Sequence, residues 1–323
     1  MSRTWTEGAR TAVTTAGVLL ASVLWLALPA SAPAAISPPG VGTGAASAVT
    51  YGSATLAGSI DPHASNTTYY FQYGPTRAYG AQTPLADAGA GTRAVKVSAA
   101  ITGLKPLTVY HYRLLAVNAA GAATGVDRTF KTAKVPLSLQ ILVAPNPTIF
   151  GGAATVEGTL SGTGNAGRAV VLQQNPFPYT AGFANVGNAE LTTSTGGFAF
   201  PVSGLTQATQ YRVITMTTPP VVSPIAIENV AVAISAHVGR THHRRHARFY
   251  GTVSPAVDGM QVAIMRVVGG RNVLVAGTAL RHGSAASSRF SRVLHVKRGL
   301  YRVFVKVTNG SQVSNYSTPL FIR

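Results

Sequence analysis

Residues 101–117, ITGLKPLTVYHYRLLAV, decide the fold. From Tyr110 onward the side chains alternate: Tyr110, Tyr112, Leu114 and Ala116 lie on one side, and His111, Arg113, Leu115 and Val117 on the other. A period of two belongs to a β-strand; an amphipathic helix would repeat its apolar residues three and four apart. Leu104 and Pro106 mark a turn into that strand, and Asn118-Ala119-Ala120-Gly121 a turn out of it.

Composition extends this local reading to the whole chain. Val, Thr, Gly and Ala dominate where a helical protein would carry Leu, Glu and Lys. A length of 323 residues allows about two or three domains. Cysteine is absent, which excludes disulfides, thiolate metal sites, cysteine nucleophiles and lipoprotein acylation. The fold class expected is all-β, three tandem antiparallel β-sandwiches held by packing alone, after an N-terminal signal helix.

Around the deciding stretch, residues 54–60 form a strand with Leu56 and Ile60 on one face. Asp61-Pro62-His63 then turns into the aromatic strand Tyr69-Tyr70-Phe71-Gln72-Tyr73. Residues 93–100 and 126–131 supply further strands, for about seven in all. Leu-x-Pro followed four residues later by Tyr, then an alternating strand, resembles the E–F corner of a fibronectin type III domain, and the resemblance covers residues 36–133. It implies that Tyr110 is a structural tyrosine corner, its hydroxyl bonded to backbone across the turn. The family's usual second-strand tryptophan is missing, because Gly58 stands two residues after Leu56; Tyr69, Phe71 or Tyr73 are expected to fill that volume. No Arg-Gly-Asp tripeptide is present. The Gly, Ala and Thr richness is similar to members from exported proteins of high-GC actinobacteria.

The pattern restarts after Lys134-Val135-Pro136. Gly158-Thr159-Leu160, Gly167-Arg168, Gly197-Phe198 and Tyr211-Arg212-Val213 recur in order as Gly251-Thr252-Val253, Gly259-Met260, Phe290 and Tyr301-Arg302-Val303. Two copies of one design are expected, at residues 136–235 and 236–323. Both resemble bacterial immunoglobulin-like sandwiches. One fused two-sheet body is the structural alternative.

Arg3 and Arg10, the uncharged apolar run 11–28 and the small-residue site Ala32-Pro33-Ala34 read as an export signal, cleaved after Ala34 to remove residues 1–34. A secreted or cell-surface location follows, with membrane attachment only if that segment stays uncleaved.

Charge is concentrated at the far end. The net is +5 over residues 36–135, −1 over 136–235 and +13 over 236–323. Arg240, Arg244, Arg245 and Arg248 lie in one run with His242, His243 and His246. Three readings compete there: a solvated edge strand, a polyanion site, or a histidine metal site on a helical face. The arginine cluster is taken as the candidate site, and no metal or cofactor is assigned. Its expected partners are a cell-wall polymer, a polysaccharide or another anionic surface.

Phe177, Tyr179 and Phe183 form an aromatic loop stiffened by Pro176 and Pro178, a second candidate ligand site. The seven carboxylates downstream of the signal are scattered, and neither a Gly-x-Ser-x-Gly elbow nor a phosphate loop is present. The chain therefore reads as a non-enzymatic binding and spacing array of the adhesion type. Its rivals are an accessory or cryptic secreted hydrolase acting on polysaccharide, and a membrane-tethered stalk.

Overall fold

The computed structural model describes residues 36–243 and 245–323. The expected signal segment and its cleavage site lie outside those residues, and so does Arg244. Among the described residues every regular element is a strand, and the strands pair into three antiparallel sandwiches.

In the first sandwich, Gly40–Thr43, Ser53–Asp61 and Val95–Thr102 form one sheet. The other is ordered Ala81–Gln82, Thr67–Gly74, Val109–Asn118 and Gly121–Thr124. Ala86–Gly89 also pairs with Thr67–Gly74, and Arg128–Lys131 with Val109–Asn118. That is more strands than the seven anticipated, the extra ones being short edge pieces without a periodic signature. Tyr110, Tyr112, Leu114 and Ala116 all point into the core. Burying a side chain the size of Leu114 stabilises the fold by about 1.5–3 kcal/mol. The Tyr110 hydroxyl accepts the Lys105 N–H at 3.0 Å.

Phe71 and Tyr69 are buried in the first core, and Leu114 lies directly over Gly58. A Cβ at Gly58 would stand 2.5 Å from Leu114 Cδ2 and 2.7 Å from the Gly42 carbonyl oxygen. Leu114, from the opposite sheet, therefore occupies the space above the glycine.

In the second sandwich, Ser138–Ala144, Gly152–Ser161 and Gly197–Leu205 face Ala184–Leu191, Ala169–Pro176, Thr209–Thr215 and Ala226–Glu228. The third sets Ala233–Arg240, His246–Ser254, Ser287–His295 and Arg281–Ser284 against Arg271–Ala279, Gln261–Val268 and Gly299–Lys306, with Asn315–Tyr316 and Leu320–Ile322 on the last strand. Each has its own sheets and its own buried cluster. The boundary expected between residues 235 and 236 falls inside Ala233–Arg240, whose whole length pairs with His246–Ser254. Val230–Ala231 pairs with Thr148–Ile149 of the second sandwich, and Val232 enters the third core. The chain passes from one core to the next within three residues, leaving no composition break to read.

One design runs through all three bodies. Leu56-Ala57-Gly58-Ser59-Ile60, Val156-Glu157-Gly158-Thr159-Leu160 and Phe249-Tyr250-Gly251-Thr252-Val253 occupy the central strand of each first sheet. In each, a Cβ on the glycine would collide with a carbonyl of the neighbouring strand, at Gly42, Gln140 and Ser235 respectively. The corner also recurs: Gly103-Leu104 and Gly204-Leu205, both glycines at positive φ, lead to Tyr110 and Tyr211 at the same spacing.

Candidate functional site

The first sheet of the third sandwich builds a basic hollow on its outer face. Ala236, Ala247, Phe249, Val253 and Phe290 are buried, so the two-residue period sends their neighbours outward. Those neighbours are His237, Arg248, Tyr250, Thr252, Arg289 and Ser291. Register aligns them across strands: His237 lies opposite Tyr250, Tyr250 opposite Ser291, Thr252 opposite Arg289, and Arg289 opposite Arg281. The concavity encloses about 600 Å³.

Local contacts order this face. Arg248 Nε donates to Ser291 Oγ at 2.9 Å, and its guanidinium carbon lies 5.4 Å from the Tyr250 ring centre. The His237 ring sits 5.6 Å from that ring, tilted by 32°, with Ser235 Oγ 3.1 Å from His237 Nε2. Asp258 is the single acidic side chain between residues 236 and 323. It bonds Ser288 and His282. The Ser288 hydrogen bond, with His282 adding to it, outweighs desolvation and holds this carboxyl below its usual range. Among the described residues, none of Arg248, Arg281 and Arg289 is in an ion pair.

The arginine run picked out in the sequence does not gather into one patch. Arg248 lies on the hollow, whereas Arg240, opposite Ala247, follows the inward phase at its strand's end. Arg245 sits in the intervening turn at φ +61°. Arg281 and Arg289, which do join Arg248, were missed because they come from strands 30 and more residues downstream; only cross-strand register unites them. The histidines meet in a hairpin turn and across a strand pair, not on a helical face: His243, in the turn, and His246 are 6.0 Å apart between ring centres, and His246 and its cross-strand partner His295 5.4 Å. Among the described residues no three His, Asp or Glu side chains are placed to hold a metal.

The aromatic loop also separates into parts. Phe177 and Tyr179 meet edge to face at 5.6 Å, on a turn closed by the Tyr179 N–H to the Pro176 carbonyl at 2.8 Å. Phe183 lies instead beneath Arg212, whose guanidinium carbon is 4.1 Å from the ring centre. Phe177 packs toward the third sandwich, since a Cβ on Gly310 would stand 3.0 Å from its ring. All three rings are half-buried.

Two polar constellations resemble catalytic sets in composition but not in geometry. At Asp258 the carboxylate stands between Ser288 and His282, and Ser288 is fully buried. A nucleophilic serine needs the imidazole on its own hydroxyl. At Asp127 the carboxylate accepts Tyr79 at 3.0 Å and His111 at 2.8 Å, with Arg77 at 3.4 Å. Burial alone would push its pKa up, yet the bonds from His111 and Tyr79 outweigh it and leave it lowered.

A scan against protein-family models finds no match, and a search of curated proteins finds none. Solved structures give similarities of shape. The chicken CNTN1 FN1-FN3 domains are 14% identical, covering 88% of this chain and 96% of that one, at a TM-score of 0.30. A tetra-tandem repeat from the extending region of a large adhesion protein is 15% identical, covering 87% and 74%, also at 0.30. The sensor domain of the anti-sigma factor RsgI4 of Pseudobacteroides cellulosolvens is 21% identical over 29% of this chain and 89% of that one, at 0.21.

Proposed function

We propose that this chain is an exported, non-enzymatic β-sandwich array, a cell-surface or extracellular binding and spacing protein whose third sandwich holds an anionic polymer. In this reading residues 36–133 are a fibronectin type III domain, and the second and third sandwiches are immunoglobulin-like. Cleavage of residues 1–34 releases the mature protein.

The observation that carries the reading is the outer face of the third sandwich. Arg248, Arg281 and Arg289 share one hollow and, among the described residues, no carboxylate neutralises them. Charges built only for solubility would be interspersed with acids; here fourteen basic side chains accompany one acidic one over residues 236–323. Tandem sandwiches of this kind space such a face away from whatever holds the other end.

Chromatography of the mature protein on a sulfate or phosphate matrix tests the reading. Strong retention at low salt is expected, falling steeply as salt rises. Passage through the column unretained at low ionic strength would remove the polyanion role. N-terminal sequencing of the exported form checks the cleavage.

A further inference from the structure

We propose that the hollow on the third sandwich is a two-anchor site for an acidic polysaccharide, gripping one acid group between Arg281 and Arg289 and a second at Arg248. The proposal rests on the polyanion reading above and names the ligand class.

Arg281 and Arg289 oppose each other directly on neighbouring strands. Like charges so placed repel, and an anion between them converts the repulsion into two attractions. Arg289 pairs with Thr252, four residues along the same strand from Arg248. At a strand rise of about 3.3 Å per residue the backbones of Arg248 and Arg289 stand roughly 13 Å apart along the strand, and the Arg248 guanidinium leans back toward Arg289 through its bond to Ser291. A monomeric acid fills one anchor, whereas an oligomer fills both, and its second contact forms at high effective concentration. Arg248 Nε is held by Ser291, which aims the guanidinium and leaves its terminal nitrogens for a carboxylate or sulfate.

The lining selects sugar over nucleic acid. Single-stranded nucleic acid is held by bases stacked on open aromatic faces. Tyr250 is the aromatic ring central to the hollow, and Arg248 lies over it with His237 tilted alongside. Those two neighbours compete with a base for the Tyr250 ring, which stays 40% exposed. Hydroxyls of Ser235, Thr252, Thr278 and Ser291 line the same hollow; they can donate to and accept from the hydroxyls of a sugar chain.

Titration of the full mature chain by calorimetry decides the matter, using galacturonate monomer, an oligogalacturonate long enough to span both anchors, and an oligothymidylate of equal charge. The oligogalacturonate should bind at least about tenfold more tightly than the monomer, and more tightly than the oligothymidylate. The double variant Arg281→Gln with Arg289→Gln, and separately Arg248→Gln, should each lose about tenfold with unchanged circular dichroism. Equal or tighter binding of oligothymidylate would overturn the ligand class while leaving the polyanion reading intact. Equal affinity for monomer and oligomer would overturn the two anchors, and wild-type affinity in both variants would overturn the location. Absence of binding to every probe, together with no retention on sulfate, would remove this proposal and the function beneath it.

Discussion

Gly58, Gly158 and Gly251 each sit where a neighbouring strand leaves no room for a side chain. At Gly251 an added methyl would run into the Ser235 carbonyl and crowd Ala236 Cα at 3.0 Å. Both obstacles are backbone, so neither can swing aside. Gly251→Ala should therefore cost about 1–3 kcal/mol, the range for overfilling a packed core. The control is Gly277→Ala, where the nearest atom lies 3.8 Å away; its effect should stay within about 0.5 kcal/mol. Urea unfolding of the two variants compares them, and equal stability would show that the sheet yields at Gly251. The tyrosines give a second contrast. Tyr301 accepts the Lys297 N–H at 3.1 Å and donates to the Lys297 carbonyl at 2.9 Å, while Tyr110 accepts a single backbone N–H. Removing each hydroxyl should cost about 0.5–1.5 kcal/mol, Tyr301→Phe more than Tyr110→Phe because it strands two backbone groups.

At the scale of the element, alternation was legible and pairing was not. The Val109–Asn118 strand declares its inner face in the sequence, and every apolar residue assigned inward there is buried. Ala184–Leu191, exposed along almost its whole length, carries no such rhythm, so its existence emerges only from its partner Ala169–Pro176. The basic hollow fails to announce itself for the same reason. Arg-x-Tyr-x-Thr at residues 248–252 and Arg-x-Ser at residues 289–291 each alternate, but nothing along one chain direction says that they lie side by side.

Ala226–Glu228 brings a further case, a carboxylate on a strand with no forewarning of burial. Glu228 is fully buried; one oxygen accepts the Thr148 N–H at 2.8 Å, and the other has no protein partner. Burial pushes its pKa up, against the Thr148 hydrogen bond. Below the ordinary carboxylate value of about 4.3 both folded and unfolded chains hold the proton, and the residue carries no ionisation penalty. As pH rises the unfolded chain ionises first, so stability drains away until the folded carboxyl ionises too. Glu228→Gln should gain on the wild type as pH is raised from about 4 to about 7, by denaturant midpoint. Asp127 has the opposite sign: its lowered pKa gives stability above the carboxylate range that is lost as pH falls through it. Asp127→Asn should thus cost most near neutrality and converge with the wild type in acid.

Over the whole molecule, the two junctions are built differently, and the difference sets how the charged end is carried. The second and third sandwiches share backbone. Thr148 and Phe150 donate to Asn229 and Ala231 at 3.0 and 2.8 Å, Val313 and Val230 are joined at 2.8 Å, and Ala208 donates to Ser311 at 2.7 Å. Val230, Ala231 and Val232 are all buried. Between the first and second, Val135 donates to Thr163 Oγ1 at 2.9 Å and Thr163 returns a bond at 3.1 Å, while Ala133, Lys134 and Pro136 are exposed. A linker buried on both sides must lose its packing before it can open; an exposed one opens without disturbing either core. Limited proteolysis with a non-specific protease, read by mass spectrometry, should accordingly cut early within residues 133–136 and spare residues 229–232. Early cleavage at the second junction would mean that the basic sandwich swings freely, and that the body placing its charged face is a single sandwich and not a rigid pair.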